Sequence, residues 1–171
     1  QTSPTLTGRD IGAVAAAGSF TSSSGTFTLR GSGRDIWNTS DEFYFAYRTL
    51  QGNGEITAQV ASVTNTHEWT KAGVMLRESL NANSRFGMML VTPGKGAAFH
   101  YRTSTGGSAA PSNSGDLTTK APYWVRIRRE GTTIRGFLSP DGVTWTQRTS
   151  ITLSSLPSTG GSGSGRAASE S

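Results

Sequence analysis

Alternating apolar and polar positions predict β-strands along most of this chain. The clearest run begins at Asp35 and ends at Glu78, and it holds three alternating segments. Their apolar positions are Phe43, Phe45, Tyr47, then Ile56, Ala58, Val60, then Ala72, Val74, Leu76. Successive side chains of a strand point to opposite faces, so this period of two indicates a sheet with one buried face. Glycines at 52 and 54 predict a hairpin between the first two segments.

The same pattern continues toward the C-terminus. Residues 86–91 and 98–102 read as a hairpin, and three further strands follow over 123–129, 132–138 and 145–153. No segment sustains a helical period, and glycine and β-branched residues disfavour one. About ten short strands separated by turns predict an all-β sandwich of two antiparallel sheets.

Four sequence blocks carry a family resemblance: GSGRDIW, DEFYFAYRTLQGNGEI, WTKAGVMLRES and VTPGKGAAFHYR, which start at residues 31, 41, 69 and 91. Together they resemble concanavalin A-like β-sandwich modules of the "regulation of enolase" type, over roughly residues 10–153. The resemblance implies a jelly-roll fold. It also implies an accessory, glycan-directed role in secreted bacterial glycoside hydrolases and surface proteins, and it transfers no catalytic residue.

The composition of the two ends divides the chain into three predicted regions. Residues 1–8 predict an N-terminal linker, 9–155 the β-sandwich domain, and 156–171 a flexible Gly/Ser-rich tail. The resembled family implies a further strand after Leu156. Because the tail has a linker composition, we expect that last strand to be absent or replaced.

Composition narrows the classes of partner. The chain has 16 basic and 11 acidic residues, a net charge of +5 and no cysteine. Disulfides and thiolate metal sites are therefore excluded, and no apolar run is long enough for a membrane span. No nucleic-acid recognition motif accompanies the positive charge. We expect a secreted or cell-surface protein whose partners are a glycan and other domains of a larger protein, with neither nucleic acid nor membrane.

The candidate ligand-binding residues are arginines and aromatic residues on alternating strand positions. They are Arg77, Arg85, His100, Arg102, Trp124, Arg126 and Arg128, with Trp69 in the adjoining loop. Aromatic rings stack on sugar faces, and guanidinium groups donate bidentate hydrogen bonds. The alternative is that the arginines cover an exposed sheet face and that Trp69 closes the rim of the core.

Acidic residues offer two further hypotheses. Asp35 and Asp41, with Glu42, could hold structural calcium, although Asp41 also suits a turn, and no other cofactor is expected. A glycosidase needs two carboxyls facing one cleft, and no compact acidic motif is present. We therefore expect a non-catalytic carbohydrate-binding or adhesion module. The alternatives are a glycan hydrolase, a polysaccharide lyase with His100 or Tyr101 as base, and a structural spacer.

Overall fold

The computed structural model describes residues 5–112 and 115–156, together with the backbone of 162–169. Within these ranges the secondary structure is strand and turn, with no helix, which confirms the all-β prediction. The strands are β1 (Thr7–Ile11), β2 (Ser19–Ser23), β3 (Thr26–Arg30), β4 (Asp35–Trp37), β5 (Ser40–Leu50), β6 (Gly54–Val60), β7 (Lys71–Arg77), β8 (Phe86–Val91), β9 (Ala97–Arg102), β10 (Ala110–Pro111), β11 (Tyr123–Glu130), β12 (Thr133–Ser139), β13 (Thr146–Thr152) and β14 (Ser162–Ser169).

These strands form three antiparallel sheets. The large sheet has eight strands in the order β1-β5-β14-β7-β8-β9-β10, with β4 paired to β5. The small sheet has four strands in the order β13-β12-β11-β6, and β2 and β3 form a separate hairpin. The hairpin predicted across residues 52–54 is wrong, because β5 and β6 belong to different sheets. That turn carries the chain from the large sheet to the small one.

A first hydrophobic core lies between the large and small sheets. Val74, Met89 and Phe99 of the large sheet are fully buried, and they pack against the small sheet through residues such as Val125 and Ile127. Burying a side chain of this size stabilises a fold by roughly 1.5–3 kcal/mol. The inward positions of both sheets follow the two-residue period of the sequence.

A second core covers the opposite face of the large sheet. It contains Ile11, Ile36, Phe43, Phe45, Met75, Phe86, Met88, Leu90, Ala98 and Ala109. Ile36 comes from β4, and Leu80 and Ala82 come from the loop between β7 and β8. The alternation of apolar and polar positions predicts that this face is exposed. It is covered instead, because β4 and connecting loops pack on it.

The two ends differ from the sequence prediction. Thr7 and Gly8, assigned above to the linker, begin β1 and pair with β5. In the tail, predicted to be flexible with its expected last strand absent or replaced, residues 162–169 form β14, which pairs with β5 on one side and β7 on the other. Backbone hydrogen bonds to two neighbours require no particular side chain, so a Gly/Ser-rich segment can occupy a sheet centre. Residues 1–4, 113–114, 157–161 and 170–171 lie outside the described residues.

Candidate functional site

Three of the predicted site residues, Arg77, His100 and Arg102, are buried on the face of the large sheet that carries the second core. Arg77 and Arg102 form an ion cluster with Asp41. Arg77 and Arg102 donate hydrogen bonds of 2.8 Å to Asp41 Oδ2, and Arg102 donates another of 2.7 Å to Oδ1. All three side chains are 0% exposed. Their guanidinium carbons lie 5.1–5.8 Å from the rings of Phe43 and Phe86. Burial lowers the pKa of Arg77, and Asp41 partly offsets that effect.

The cluster also joins several loops. Arg102 donates to the backbone carbonyl oxygens of Gly107, Ser84, Trp37 and Asn38. Arg77 donates to the carbonyl oxygens of Asn81 and Ala82. Arg77 and Arg102 therefore cannot reach a ligand, and their assignment to an exposed binding face is wrong. Their role is to hold β4 and the loops against the large sheet.

His100 lies on the same face, between two tryptophans. Its ring centroid is 4.9 Å from that of Trp37 and 5.8 Å from that of Trp69. His100 is 2% exposed, whereas both indole side chains are partly exposed. Within the described part of the chain, neither imidazole nitrogen has a hydrogen-bond partner. Burial, together with the nearby Lys71, lowers the pKa of His100 to about 3, so the ring is neutral.

A charged pair completes this arrangement. The Lys71 ammonium donates to Asp35 Oδ1 and lies 5.9 Å from the Trp69 ring centroid. The Lys71 side chain is 4% exposed and that of Asp35 is 44% exposed, so the pair spans from interior to solvent. We call Trp37, Trp69, His100, Lys71 and Asp35 the two-tryptophan site.

Local hydrogen bonds fix the backbone that carries each indole. On the Trp69 side, the backbone N–H of Thr70 donates to the His67 carbonyl oxygen at 2.9 Å, and Trp69 N–H donates to His67 Nδ1 at 3.1 Å. On the Trp37 side, β4 pairs Trp37 with Ser40 across a two-residue turn. Asn38 of that turn has a φ of 48°, a left-handed conformation that asparagine tolerates better than most residues. The tight turn therefore places Trp37 over the sheet.

The other predicted residues lie elsewhere. Trp124, Arg126 and Arg128 belong to β11 of the small sheet, so the single face predicted from alternation is divided between two sheets. The Arg126 guanidinium carbon lies 3.9 Å from the Trp145 ring centroid. Arg85 binds Glu78 through two hydrogen bonds of 2.6 and 2.8 Å. These side chains are engaged with neighbours on the protein surface.

Both residues predicted as calcium ligands are paired with positively charged side chains. Asp41 binds two guanidinium groups and Asp35 binds the Lys71 ammonium. The structure, over its described residues, contains no group of three His, Cys, Asp or Glu side chains that could hold a metal. Calcium requires six to eight oxygen ligands, so this donor set does not fit it.

Sequence reasoning found Trp69 and His100 but missed Trp37 and Lys71. Lys71 is the first residue of β7 and lies two positions after Trp69, so its closeness in sequence was a local signal. Trp37 reaches the site only through the turn between β4 and β5, and no spacing rule connects it with His100, 63 positions later.

Comparisons with known proteins show a similarity of fold. No family model matches it, and no curated protein matches it. Its fold is similar to that of a functionally unknown protein from Saccharomyces cerevisiae, with a TM-score of 0.70 and 16% identity. The match covers 97% of this chain and 87% of the yeast chain. The likeness shows a shared all-β fold and nothing about activity. Among the described residues, no helix has the length and apolar character needed to cross a membrane.

Proposed function

We propose that this chain is a non-catalytic, extracellular carbohydrate-binding module with a concanavalin A-like jelly-roll fold. In this proposal it is an accessory domain of a larger secreted or surface protein. It binds a polysaccharide at the two-tryptophan site.

The pair of partly exposed indoles beside a charged pair carries the proposal. Sugar rings present C–H faces that pack on tryptophan, and Trp37 and Trp69 offer two such surfaces on either side of His100. Asp35, whose side chain is 44% exposed, can accept a hydrogen bond from a sugar hydroxyl. Lys71 orients that carboxylate through its ammonium group. Aromatic platforms with a few polar groups are typical of sites that orient a ligand by shape.

The chemistry of the site favours binding over bond cleavage. A glycosidase uses two carboxyl groups on opposite sides of the bond, and the two-tryptophan site contains only Asp35. A lyase needs a base near neutral pKa that reaches its substrate. The pKa of His100 is about 3 and its ring is buried, so it is a poor base.

Affinity gel electrophoresis against neutral and acidic polysaccharides tests the proposal. We expect one polysaccharide class to retard the protein, and Trp69→Ala to abolish the retardation. Trp37→Ala should do the same. Trp145→Ala is the matched control, because that indole lies beside Arg126 on the small sheet. Circular dichroism melts establish that each variant is folded.

Three results would overturn this assignment. Loss of retardation in Trp145→Ala but not in Trp69→Ala would move the site to the small sheet. Release of reducing sugar or of an unsaturated product from the retarding polysaccharide would replace binding with catalysis. A folded protein that no polysaccharide retards would leave a structural spacer as the better account.

A further inference from the structure

The two-tryptophan site presents its negative charge to solvent and keeps its positive charge inside. The Asp35 side chain is 44% exposed, whereas that of Lys71 is 4% exposed. His100 is 2% exposed and neutral. Within the five residues of this site, a ligand that packs on the indoles therefore meets a carboxylate and no accessible cation. Glycans that carry uronate or sulfate groups are disfavoured there, because like charges repel.

One oxygen of the Asp35 carboxylate has no partner. Oδ1 accepts a hydrogen bond from the Lys71 ammonium and another, of 2.7 Å, from the Ile36 backbone N–H. Among the residues that the structure describes, no donor binds Oδ2. A partly exposed carboxylate oxygen is an acceptor for a donor on the ligand. An ammonium group makes the strongest hydrogen bond to it, since both partners are then charged.

A carboxylate that holds two cations already occurs in this protein. Asp41 accepts hydrogen bonds from the guanidinium groups of both Arg77 and Arg102. At Asp35, the buried Lys71 occupies Oδ1 from the interior. A ligand ammonium would reach Oδ2 from the solvent side, where water and salt screen its repulsion by Lys71.

The indoles add a second attraction for a positive charge. The face of an aromatic ring attracts a cation that lies within about 6 Å of the ring centroid, as in the aromatic cages that bind ammonium ligands. The Lys71 ammonium lies 5.9 Å from the Trp69 ring centroid, so this part of the site accommodates such a group. Trp37 and Asp35 lie two positions apart in β4, so their side chains emerge on the same face of that strand.

The two tryptophans of the small sheet have the opposite electrostatic surroundings. The Arg126 guanidinium carbon lies 3.9 Å from the Trp145 ring centroid, so a cation already covers that indole. Trp124 and Arg128 lie on the same strand as Arg126, two positions to either side of it. A positively charged ligand is therefore disfavoured on the small sheet and favoured at the two-tryptophan site.

We propose that the two-tryptophan site selects glycans built of amino sugars whose amines are free and positively charged. One amine donates a hydrogen bond to Asp35 Oδ2 while sugar rings pack on Trp37 and Trp69. This inference rests on the proposed function and deepens it by naming the class of sugar. A glycan with N-acetyl groups in place of the amines packs on the same indoles without the charge, and therefore binds more weakly.

Calorimetric titration of the full chain with two matched oligosaccharides tests the inference. The probes are a hexasaccharide of β-1,4-linked glucosamine and its fully N-acetylated counterpart, at a slightly acidic pH that keeps the amines charged. They share backbone and length and differ in charge. We expect the amine form to bind about tenfold more tightly, as a charge-assisted hydrogen bond and a cation–π contact require. Trp69→Ala should remove the binding of both.

Two variants show whether Asp35 causes the preference. Asp35→Asn combined with Lys71→Met removes the carboxylate charge without leaving a buried, unpaired ammonium group. In this double variant the ratio of the two affinities should fall to about one. Glu55→Gln is the matched control, because the Glu55 side chain is 41% exposed and pairs with Arg128 on the small sheet. The control should keep the preference, and circular dichroism verifies that each variant is folded.

Three outcomes would overturn the inference. The first is equal or tighter binding of the acetylated hexasaccharide, lost in Trp69→Ala, which would leave glycan binding at this site and refute the preference for amines. The second is a preference that persists in the double variant or that Glu55→Gln also removes, since the charge would then be recognised elsewhere. The third is tighter binding of a uronic acid hexasaccharide than of the amine form. Failure of every polysaccharide to retard the protein would instead overturn the proposed function itself.

Discussion

Replacing Asp41 with asparagine removes a negative charge from the interior and leaves the side-chain shape nearly unchanged. The carboxylate accepts hydrogen bonds from Arg77 and Arg102, and all three side chains are 0% exposed. In the variant, an amide NH₂ or a neutral carbonyl faces two buried guanidinium groups. Two positive charges then share the site with no counter-ion.

The magnitude follows from the burial of the cluster. Removing one partner of a buried ion pair costs about 3–5 kcal/mol, because the remaining charge is left uncompensated. A domain of this kind has a free energy of unfolding of about 5–15 kcal/mol. Taking a urea m-value of about 2 kcal/mol/M, a loss of about 4 kcal/mol lowers the unfolding midpoint by about 2 M.

Urea denaturation of the wild type and Asp41→Asn checks this value. Glu130→Gln is the control, since Glu130 accepts a 2.9 Å hydrogen bond from Arg135 on the protein surface. We expect the control midpoint to stay close to the wild type. If both variants moved the midpoint by the same small amount, the buried cluster would not be what holds β4 and the loops against the large sheet.

Two further predictions concern buried positions. The pKa of His100 is about 3, against 6.5 for an ordinary histidine. Below pH 6.5, His100 therefore becomes protonated in the unfolded chain but stays neutral in the folded chain. The free energy of unfolding falls as the pH drops toward 3. Urea unfolding at pH 7 and 4.5 should show the wild type losing about 3 kcal/mol more than His100→Phe, and parallel losses would contradict this. A Cβ on Gly33 would lie 1.7 Å from the Glu42 carbonyl oxygen, whereas one on Gly131, with φ 62°, meets open space. Thermal melts should therefore show a loss of about 4 kcal/mol or more for Gly33→Ala and about 1 kcal/mol for Gly131→Ala; equal losses would contradict the close approach at Gly33.

The strands were predictable from sequence because their alternation is local. Residues 43–47 and 72–76 form parts of β5 and β7 as expected, although both faces of these strands are buried rather than one. The partners of those strands were not predictable in the same way. Glycines at 52 and 54 suit a hairpin, yet the turn connects two different sheets. Local turn chemistry does not determine which sheet the next strand joins.

The burial of Arg77 and Arg102 could not be predicted from the local sequence pattern either. Arg77 and Arg102 occupy alternating strand positions that usually face solvent. They are buried because Asp41 and the carbonyl groups of distant loops surround them. Asp41 reads in the sequence as a turn residue, and nothing near it indicates two guanidinium partners. In the tail, β14 forms through backbone pairing, which a Gly/Ser-rich composition does not signal.

The chain contains four tryptophans, so its indole N–H groups give four resolvable signals in a nitrogen–proton correlation spectrum. Titrating the protein with oligosaccharides of the retarding polysaccharide shows directly whether sugar binds at the two-tryptophan site, with single Trp→Phe variants assigning the signals. We predict that the Trp37 and Trp69 signals shift together and saturate, while those of Trp124 and Trp145 stay in place. Shifts confined to Trp124 and Trp145, or no shift at any of the four, would contradict binding at the two-tryptophan site.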